Sequence, residues 1–142
     1  MRFIVILFLF ISFNGYSSHI VGGEMYYDCL GGDQYRITLK LYRDCLSDGA
    51  QFDDPLPITI FNGSNVNIGG FSISYPGSIN LDVSFNDNPC VTAPSDICVE
   101  EAVYQEILEL PPNSNGYDLV YQRCCRNPSI ININWPEDSG AT

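Results

Sequence analysis

The chain is poor in positive charge. Lysine and arginine together number 6, and Lys40 is the only lysine, against 17 aspartate and glutamate residues. The formal net charge of −11 repels the phosphates of nucleic acids and anionic membranes, so we exclude both as partners. We interpret the acidic surface mainly as a means of solubility, and calcium binding is the functional alternative.

Histidine is nearly absent, since His19 is the only one. The Ile-Val-Gly-Gly string at residues 20–23 is like the activated amino terminus of trypsin-like proteases, but such an enzyme needs a histidine base after that string. A cysteine nucleophile would also lack its usual base. We therefore predict that the protein is not an enzyme of either class.

Adjacent carboxylates are the remaining catalytic candidates. They occur as two pairs, Asp53 with Asp54 and Glu100 with Glu101. Neighbours along a strand point to opposite faces, so the two members of a pair do not converge on one substrate atom. We expect no glycoside hydrolysis and no catalytic residues.

A long hydrophobic run is also missing. Residues 3–13 form the longest apolar stretch, with Arg2 before it and small residues behind it, whereas a membrane-spanning helix needs about 20 apolar residues. This layout predicts a secretory signal peptide over residues 1–17 and a mature chain from about Ser18. We expect a secreted, extracellular or cell-surface protein, with no membrane insertion once the signal is removed.

Strand-like patterns dominate the rest of the chain. Residues 24–30 and 35–44 are rich in Tyr, Ile, Leu and Thr, and Gly31-Gly32-Asp33 between them predicts the turn of a β-hairpin. The second strand alternates with a period of two, which predicts one buried and one wet face. The buried set is Ile37, Leu39 and Leu41, and the wet set is Arg36, Thr38, Lys40 and Tyr42.

Further β-prone runs are separated by Asn-Gly, Pro-Gly, Asn-Pro and Pro-Pro breaks. They are residues 57–61, 66–75, 79–85, 117–125 and 130–135. Residues 95–110 fit both an amphipathic helix and a strand, and we favour a strand over 99–110 because a sandwich needs it to close. The fold class we predict is all-β: a disulfide-linked, Ig-like antiparallel β-sandwich of about 7–9 strands over residues 18–136. The polar residues 137–142 are expected to be an exit linker or a cut edge.

Six cysteines in an exported chain predict three disulfides. Zinc is a poor alternative because the chain has no Cys-x-x-Cys pair, so we expect no metal cage. The short loop between Cys90 and Cys98 favours their pairing, and one of Cys124 and Cys125 is expected to bridge to Cys45. Cys29 lies at the opposite end of the hairpin from Cys45, so these two should not pair, and the partner of Cys29 stays open.

Two alternatives concern ligands. Oxygen-rich loops could bind calcium, although such residues also build turns without a metal. These loops contain Asp44, Asp48, Asp53 and Asp54 in one cluster, and Asp82, Asn86, Asp87 and Asn88 in the other. Tyrosines taken as exposed could stack on sugar rings, although cross-strand packing is their more frequent use. They are Tyr26, Tyr42, Tyr75, Tyr104 and Tyr121.

Three motifs together resemble one family. They are His-Ile-Val-Gly-Gly-Glu at 19–24, Tyr-Arg-Asp-Cys at 42–45, and Tyr-Gln-Arg-Cys-Cys-Arg-Asn at 121–127. The chain resembles the N-terminal domain of gliding-motility-associated surface proteins of the Bacteroidetes, which are substrates of type IX secretion. Shorter pieces at 88–90, 94–99 and 139–142 also match in order, so the resemblance covers nearly the whole mature chain.

The resemblance implies an adhesin-like role outside the cell, in gliding or surface attachment, with downstream Ig-type or PKD-type modules and with surface glycans or proteins as partners. It implies no catalytic residues. The motif residues are Tyr42, Arg43, Asp44, Arg123 and Arg126. From the residues themselves, we favour a structural use of the arginines, in which an arginine beside Asp44 and a cysteine bridge fixes the register of two strands. The alternative is a stand-alone secreted module that binds carbohydrate or depends on calcium.

Overall fold

A computed structural model describes residues 20–82 and 97–123, together with Asn132 and Asn134. These residues form seven strands and no helix. The strands are β1 (Ile20–Gly31), β2 (Gln34–Asp44), β3 (Leu56–Asn62), β4 (Asn67–Ile73), β5 (Ile79–Leu81), β6 (Val99–Glu109) and β7 (Tyr117–Val120). The all-β prediction is confirmed.

The strands form two antiparallel sheets. One has the order β1-β2-β6-β5 and the other the order β4-β3-β7. The core cluster draws Leu39, Leu41 and Tyr104 from the first sheet, and Leu56 and Ile58 from the second, all at most 3% exposed. The sheets therefore face each other across a shared apolar core, in a sandwich-like arrangement.

The predicted hairpin is confirmed as β1 and β2. Gly32 and Asp33 both have positive φ, 59° and 63°, which is the pattern of the type I′ turn that suits a two-residue hairpin loop. Glycine adopts this conformation without strain, and aspartate does so more readily than most residues. The turn thus sets the register in which Gly31 lies opposite Gln34.

The alternation predicted for β2 is confirmed with one exception. Ile37, Leu39 and Leu41 are each 3% exposed, but Thr38, which we placed on the wet face, is fully buried. Its Cα partners are Tyr26 in β1 and Gln105 in β6, and its hydroxyl accepts a hydrogen bond from Gln105 Nε2 at 3.1 Å. A central-strand threonine between two long neighbours is thus screened from water.

The ambiguous segment is a strand. β6 pairs with β2 over eleven consecutive residue pairs, from Gln34↔Glu109 to Asp44↔Val99. The register places Ala102 and Tyr104 opposite Leu41 and Leu39, where both are fully buried. The preference for a strand over a helix is therefore confirmed.

Other predicted runs are confirmed in shortened form. Residues 57–61 lie in β3, 66–75 around β4, 79–85 begin with β5, and 117–125 begin with β7. Residues 83–85 and 124–125 lie outside the described part of the chain, as does the run at 130–135 except for Asn132 and Asn134. The predicted signal peptide and the tail at 137–142 also lie outside it.

Candidate functional site

The most elaborate polar structure surrounds the loop between β2 and β3, residues 45–55, which we call the clasped loop. Arg43, the last core-facing residue of β2, is only 4% exposed. Its Nε donates to the carbonyl of Ala50 at 3.2 Å, and its Nη2 donates to the carbonyls of Ser47 at 2.9 Å and Gly49 at 3.2 Å. One guanidinium thus gathers three backbone acceptors of the loop.

The remaining nitrogen of the Arg43 guanidinium, Nη1, contacts Glu100. Nη1 of Arg43 donates to Oε1 of Glu100, its Cα partner across the β2–β6 ladder. Arg43 therefore joins two neighbouring strands through one carboxylate, that of Glu100. Asp44 instead accepts a hydrogen bond from the backbone N–H of Leu46 at 2.9 Å.

Glu100 also links this pair to the segment before β5. Its Oε2 accepts a hydrogen bond from the Ser78 hydroxyl at 2.7 Å, and that hydroxyl in turn accepts one from the Tyr75 hydroxyl at 2.8 Å. Burial disfavours the ionised carboxylate, but the hydrogen bonds from Ser78 and Arg43 outweigh it and lower the pKa of Glu100. Glu100 is therefore held as an anion beside a buried cation.

A disulfide continues the same ladder. Cys45 and Cys98 follow the last pair, Asp44↔Val99, with their Cα atoms 5.3 Å apart, and Cys45 N–H donates to the Cys98 carbonyl at 3.2 Å. The bridge links Cys45, the first residue of the clasped loop, to Cys98, the residue just before β6. It joins two neighbouring strands of one sheet.

This pairing corrects the predicted connectivity. Cys98 bonds to Cys45, so the pairing of Cys98 with Cys90 is wrong, and so is the bridge from Cys45 to Cys124 or Cys125. Cys29 is an exposed free cysteine within the described residues, which contradicts its expected disulfide. That Cys29 and Cys45 do not pair is confirmed. Cys90, Cys124, Cys125 and Arg126 lie outside the described residues.

The second motif arginine holds the other half of the loop. Arg123 Nη2 donates to the Gln51 carbonyl at 2.8 Å, and its Nη1, 3.4 Å from Asp53 Oδ1, forms an ion pair. The Tyr121 hydroxyl donates to Asp53 Oδ2 at 2.6 Å. The residues after β7 thus bind the clasped loop from the opposite sheet.

Tyr104 of β6 also binds the clasped loop, from the core of the protein. It is fully buried, and its hydroxyl donates to the backbone carbonyl of Asp53 at 2.9 Å. Burial, reinforced by the negative charge of Asp53, raises the pKa of Tyr104 above its usual range, and burial together with the hydrogen bond to Asp53 does the same for Tyr121. Both phenols therefore remain neutral hydrogen-bond donors.

The outer face of the four-stranded sheet carries partly exposed ion pairs instead. Lys40 Nζ lies 3.5 Å from Glu24 Oε1 and 3.7 Å from Glu101 Oε1, and the Tyr42 hydroxyl donates to Glu24 at 3.3 Å. The neighbouring Tyr26 phenol, when ionised, and the Glu101 carboxylate raise the pKa of Lys40. Burial, together with Glu24, raises the pKa of Tyr42. Glu100 and Glu101 thus point to opposite faces, as predicted for adjacent strand residues.

The predicted ligand residues that lie in the described part of the chain do not assemble into a site. Within the described ranges no group of three or more His, Cys, Asp and Glu side chains is placed to hold a metal ion. Asp54 Oδ1, for example, accepts the backbone N–H of Tyr75 at 3.0 Å. Asn86, Asp87 and Asn88 lie outside those ranges.

The tyrosines do not form one sugar platform either. Tyr104 is fully buried, which contradicts its placement among the exposed tyrosines, and Tyr75 stacks on Phe52, which is itself only 7% exposed. Tyr26 and Tyr42 lie on the outer face of the sheet, away from Tyr75. Aromatic packing here stabilises the fold more than it offers a stacking surface.

Sequence reasoning missed Ser78, Glu100 and Tyr104 as members of this network. The contacts of Glu100 with Arg43 and Ser78, and of Tyr104 with Asp53, join residues at least 22 positions apart, so only the fold brings them together. Alternation places Glu100 on the same face as Ala102 and Tyr104, and a carboxylate in line with these two core positions was the one signal that could have shown it.

Comparisons of the chain with protein-family models, with curated proteins and with solved structures found no match. Among the described residues no helix is long and apolar enough to cross a membrane.

Proposed function

We propose that the chain is a non-catalytic module of an exported cell-surface protein, with an adhesin-like role in surface attachment or gliding motility. We further propose that its two sheets form an Ig-like sandwich that serves as the N-terminal module before Ig-type or PKD-type modules. The motif resemblance supplies the biological setting. The clasped loop supplies the physical support.

The contacts of the two motif arginines, Arg43 and Arg123, are the main support for this proposal. Arg43 and Arg123 together direct four hydrogen bonds at loop carbonyls, and each pairs with one carboxylate. Arginines engaged in this way hold a surface in one shape and are not offered to a substrate. Preorganised surface loops suit binding because little conformational entropy is lost when a partner docks.

The Cys45–Cys98 disulfide supports export. Disulfides persist in oxidising compartments and are rare in the cytosol, and this one fits a regular cross-strand position. A cytosolic protein would gain nothing from a bridge that glutathione keeps reduced.

Export is tested by producing the full chain with its own leader in a Gram-negative host. We expect periplasmic protein that starts near Ser18 and contains the Cys45–Cys98 peptide in non-reduced mass spectra. An uncleaved protein with both thiols free would contradict export. The variant Cys98→Ser serves as the matched control for assigning the disulfide peptide.

Attachment is tested with microspheres coated with the oxidised protein. Under flow over glass and over polysaccharide films, we expect them to resist detachment better than albumin-coated microspheres. Microspheres coated with reduced, urea-unfolded protein control for nonspecific adsorption. Equal detachment of folded, unfolded and albumin coats on every surface would overturn the adhesin-like role. A hydrolase would instead release soluble sugars from the films.

A further inference from the structure

The edges of the two sheets are unequal. The strands at the ends of the sheets are β1, β5, β4 and β7. β5 has three residues and β7 has four, and β4 has seven, with Gly69 in its middle at φ 135°. β1 has twelve residues, and its register with β2 runs without a shift from Gly22 to Cys29. Short and glycine-interrupted edges resist further pairing, but a long regular edge invites it.

We call residues 22–29 the β1 edge. Among the described strands β1 pairs only with β2, so the backbone N–H and C=O groups on its other side have no strand partner. Tyr27 is 67% exposed and Tyr26 is 43% exposed, although they project to opposite faces. Each face of the edge therefore keeps one tyrosine open to solvent, although Met25 packs against the core. The edge also contains no lysine and no proline, the residues that most often protect edge strands.

The charges of the β1 edge are all negative. Glu24 and Asp28 lie four residues apart on the outer face, and each side chain remains 54% exposed despite its ion pair with β2. A second copy of this chain would bring a net charge of −11 against another −11, so self-pairing is opposed. A positively charged partner would be attracted to the same edge.

We propose that the β1 edge binds, by strand addition, an extended polypeptide segment with basic residues on one face and apolar residues on the other. The backbone of the segment pairs with the side of β1 that faces away from β2. Two lysines or arginines four residues apart reach Glu24 and Asp28, while apolar side chains cover the exposed ring of Tyr27. This deepens the proposed binding role, on which it rests, by naming the partner class.

The test measures fluorescence anisotropy with the oxidised full chain and a labelled octapeptide of sequence Lys-Val-Thr-Val-Lys-Val-Thr-Val. A matched octapeptide carries glutamate in place of both lysines. We expect saturable binding of the lysine peptide that weakens as salt rises, and at least tenfold weaker binding of the glutamate peptide. Glu24→Gln and Asp28→Asn should each weaken binding of the lysine peptide several-fold.

Lysine substitutions locate the binding strand. Tyr27→Lys, which adds a charge to the β1 edge, should abolish binding at a temperature at which circular dichroism shows that the variant is still folded, although loss of the ring contact with Tyr35 lowers its melting temperature. The second half of β6 is the other long stretch without a second strand partner among the described strands, and Ile107→Lys tests it. Val66→Lys, at a site 55% exposed in the β3–β4 turn, is the remote control. Both of these variants should bind normally.

Several results would overturn the proposal. They are equal binding of both peptides, no saturation up to millimolar peptide, loss of binding in Ile107→Lys but not in Tyr27→Lys, or dimers in size-exclusion chromatography that Tyr27→Lys dissociates. The last result would assign the edge to a second copy. Because binding is measured on purified protein, a failure here leaves leader cleavage and disulfide formation, the readouts of export, unaffected.

Discussion

The two ends of β2 carry the same kinds of residue in opposite circumstances. At one end Arg43 is 4% exposed, pairs with Glu100 and holds three carbonyls of the clasped loop. At the other end Arg36 pairs with Asp28 at 3.9 Å, and the two side chains are 43% and 54% exposed. The first pair is screened from water and the second is not. Removing one partner of the buried pair should therefore lower the free energy of unfolding more than removing one partner of the exposed pair.

The cysteines repeat this contrast. Cys45 is tied to Cys98 beside the clasped loop, whereas Cys29, near the hairpin turn, is exposed and free among the described residues. One end of the sheet is therefore fixed by covalent and buried polar links. The other end relies on the β ladder and on edge-to-face contact between Tyr27 and Tyr35, whose ring centres lie 5.9 Å apart. We expect the two ends to respond very differently to substitution.

The largest effect should come from the disulfide. Replacing both Cys45 and Cys98 with alanine removes a link between residues 53 positions apart, which should lower the free energy of unfolding by about 4 kcal/mol. Urea denaturation of the oxidised protein measures it. Cys29→Ser is the matched control at the other end and should stay within about 0.5 kcal/mol of the unsubstituted chain. Comparable losses in both variants would remove the contrast between the two ends.

Arg43→Ala should be the next most damaging change. It leaves Glu100 as a poorly solvated carboxylate and frees the carbonyls of Ser47, Gly49 and Ala50, so we expect a loss of about 3 kcal/mol in the free energy of unfolding. Arg36→Ala removes an exposed pair and should cost no more than about 0.5 kcal/mol. If the two arginine variants lose the same free energy of unfolding, burial does not determine how much each ion pair stabilises the fold.

Much of this fold could be predicted from the sequence because its signals are local. The Gly31-Gly32-Asp33 turn and the alternation of Ile37, Leu39 and Leu41 are read within a few residues, and both are confirmed. The strand assigned to 99–110 needed one global argument, that a sandwich must close.

The disulfide could not be predicted in the same way. Closeness in sequence favoured Cys90 for Cys98, but the actual partner, Cys45, is set by the β2–β6 register, which places Cys45 after Asp44 and Cys98 before Val99. No pattern within one strand reveals which distant strand lies beside it. The same limit hid Glu100 from Arg43, since both residues lie on the core face but 57 positions apart.

A smaller effect is expected at Tyr104. Tyr104→Phe keeps the ring in the core but removes the donor to the Asp53 carbonyl, which should lower the free energy of unfolding by about 1–2 kcal/mol. Tyr26→Phe, at an exposed site, should change it by less than about 0.5 kcal/mol. Urea denaturation compares the two. No loss in Tyr104→Phe would show that water or another donor satisfies this carbonyl in the variant.

The smallest expected effect is a difference between the two ends of β2 in how protein stability depends on pH. The pKa of Glu100 is lowered in the folded protein from its usual value of 4.5, so the unfolded chain takes up the proton more readily. The stability that Glu100 contributes is thus fully present above about pH 4.5 and is lost as pH falls through the lowered folded pKa. Glu100→Gln, which keeps a hydrogen-bond acceptor for Arg43 but cannot ionise, should lose less melting temperature than the unsubstituted chain between pH 6 and pH 3. Asp28→Asn makes the same change at the exposed end and should follow the unsubstituted chain, since solvent screens its pair with Arg36. If Asp28→Asn rather than Glu100→Gln flattened the acid response, the pH sensitivity would belong to the hairpin end, and the clasped loop would not be the part of the molecule that acid loosens first.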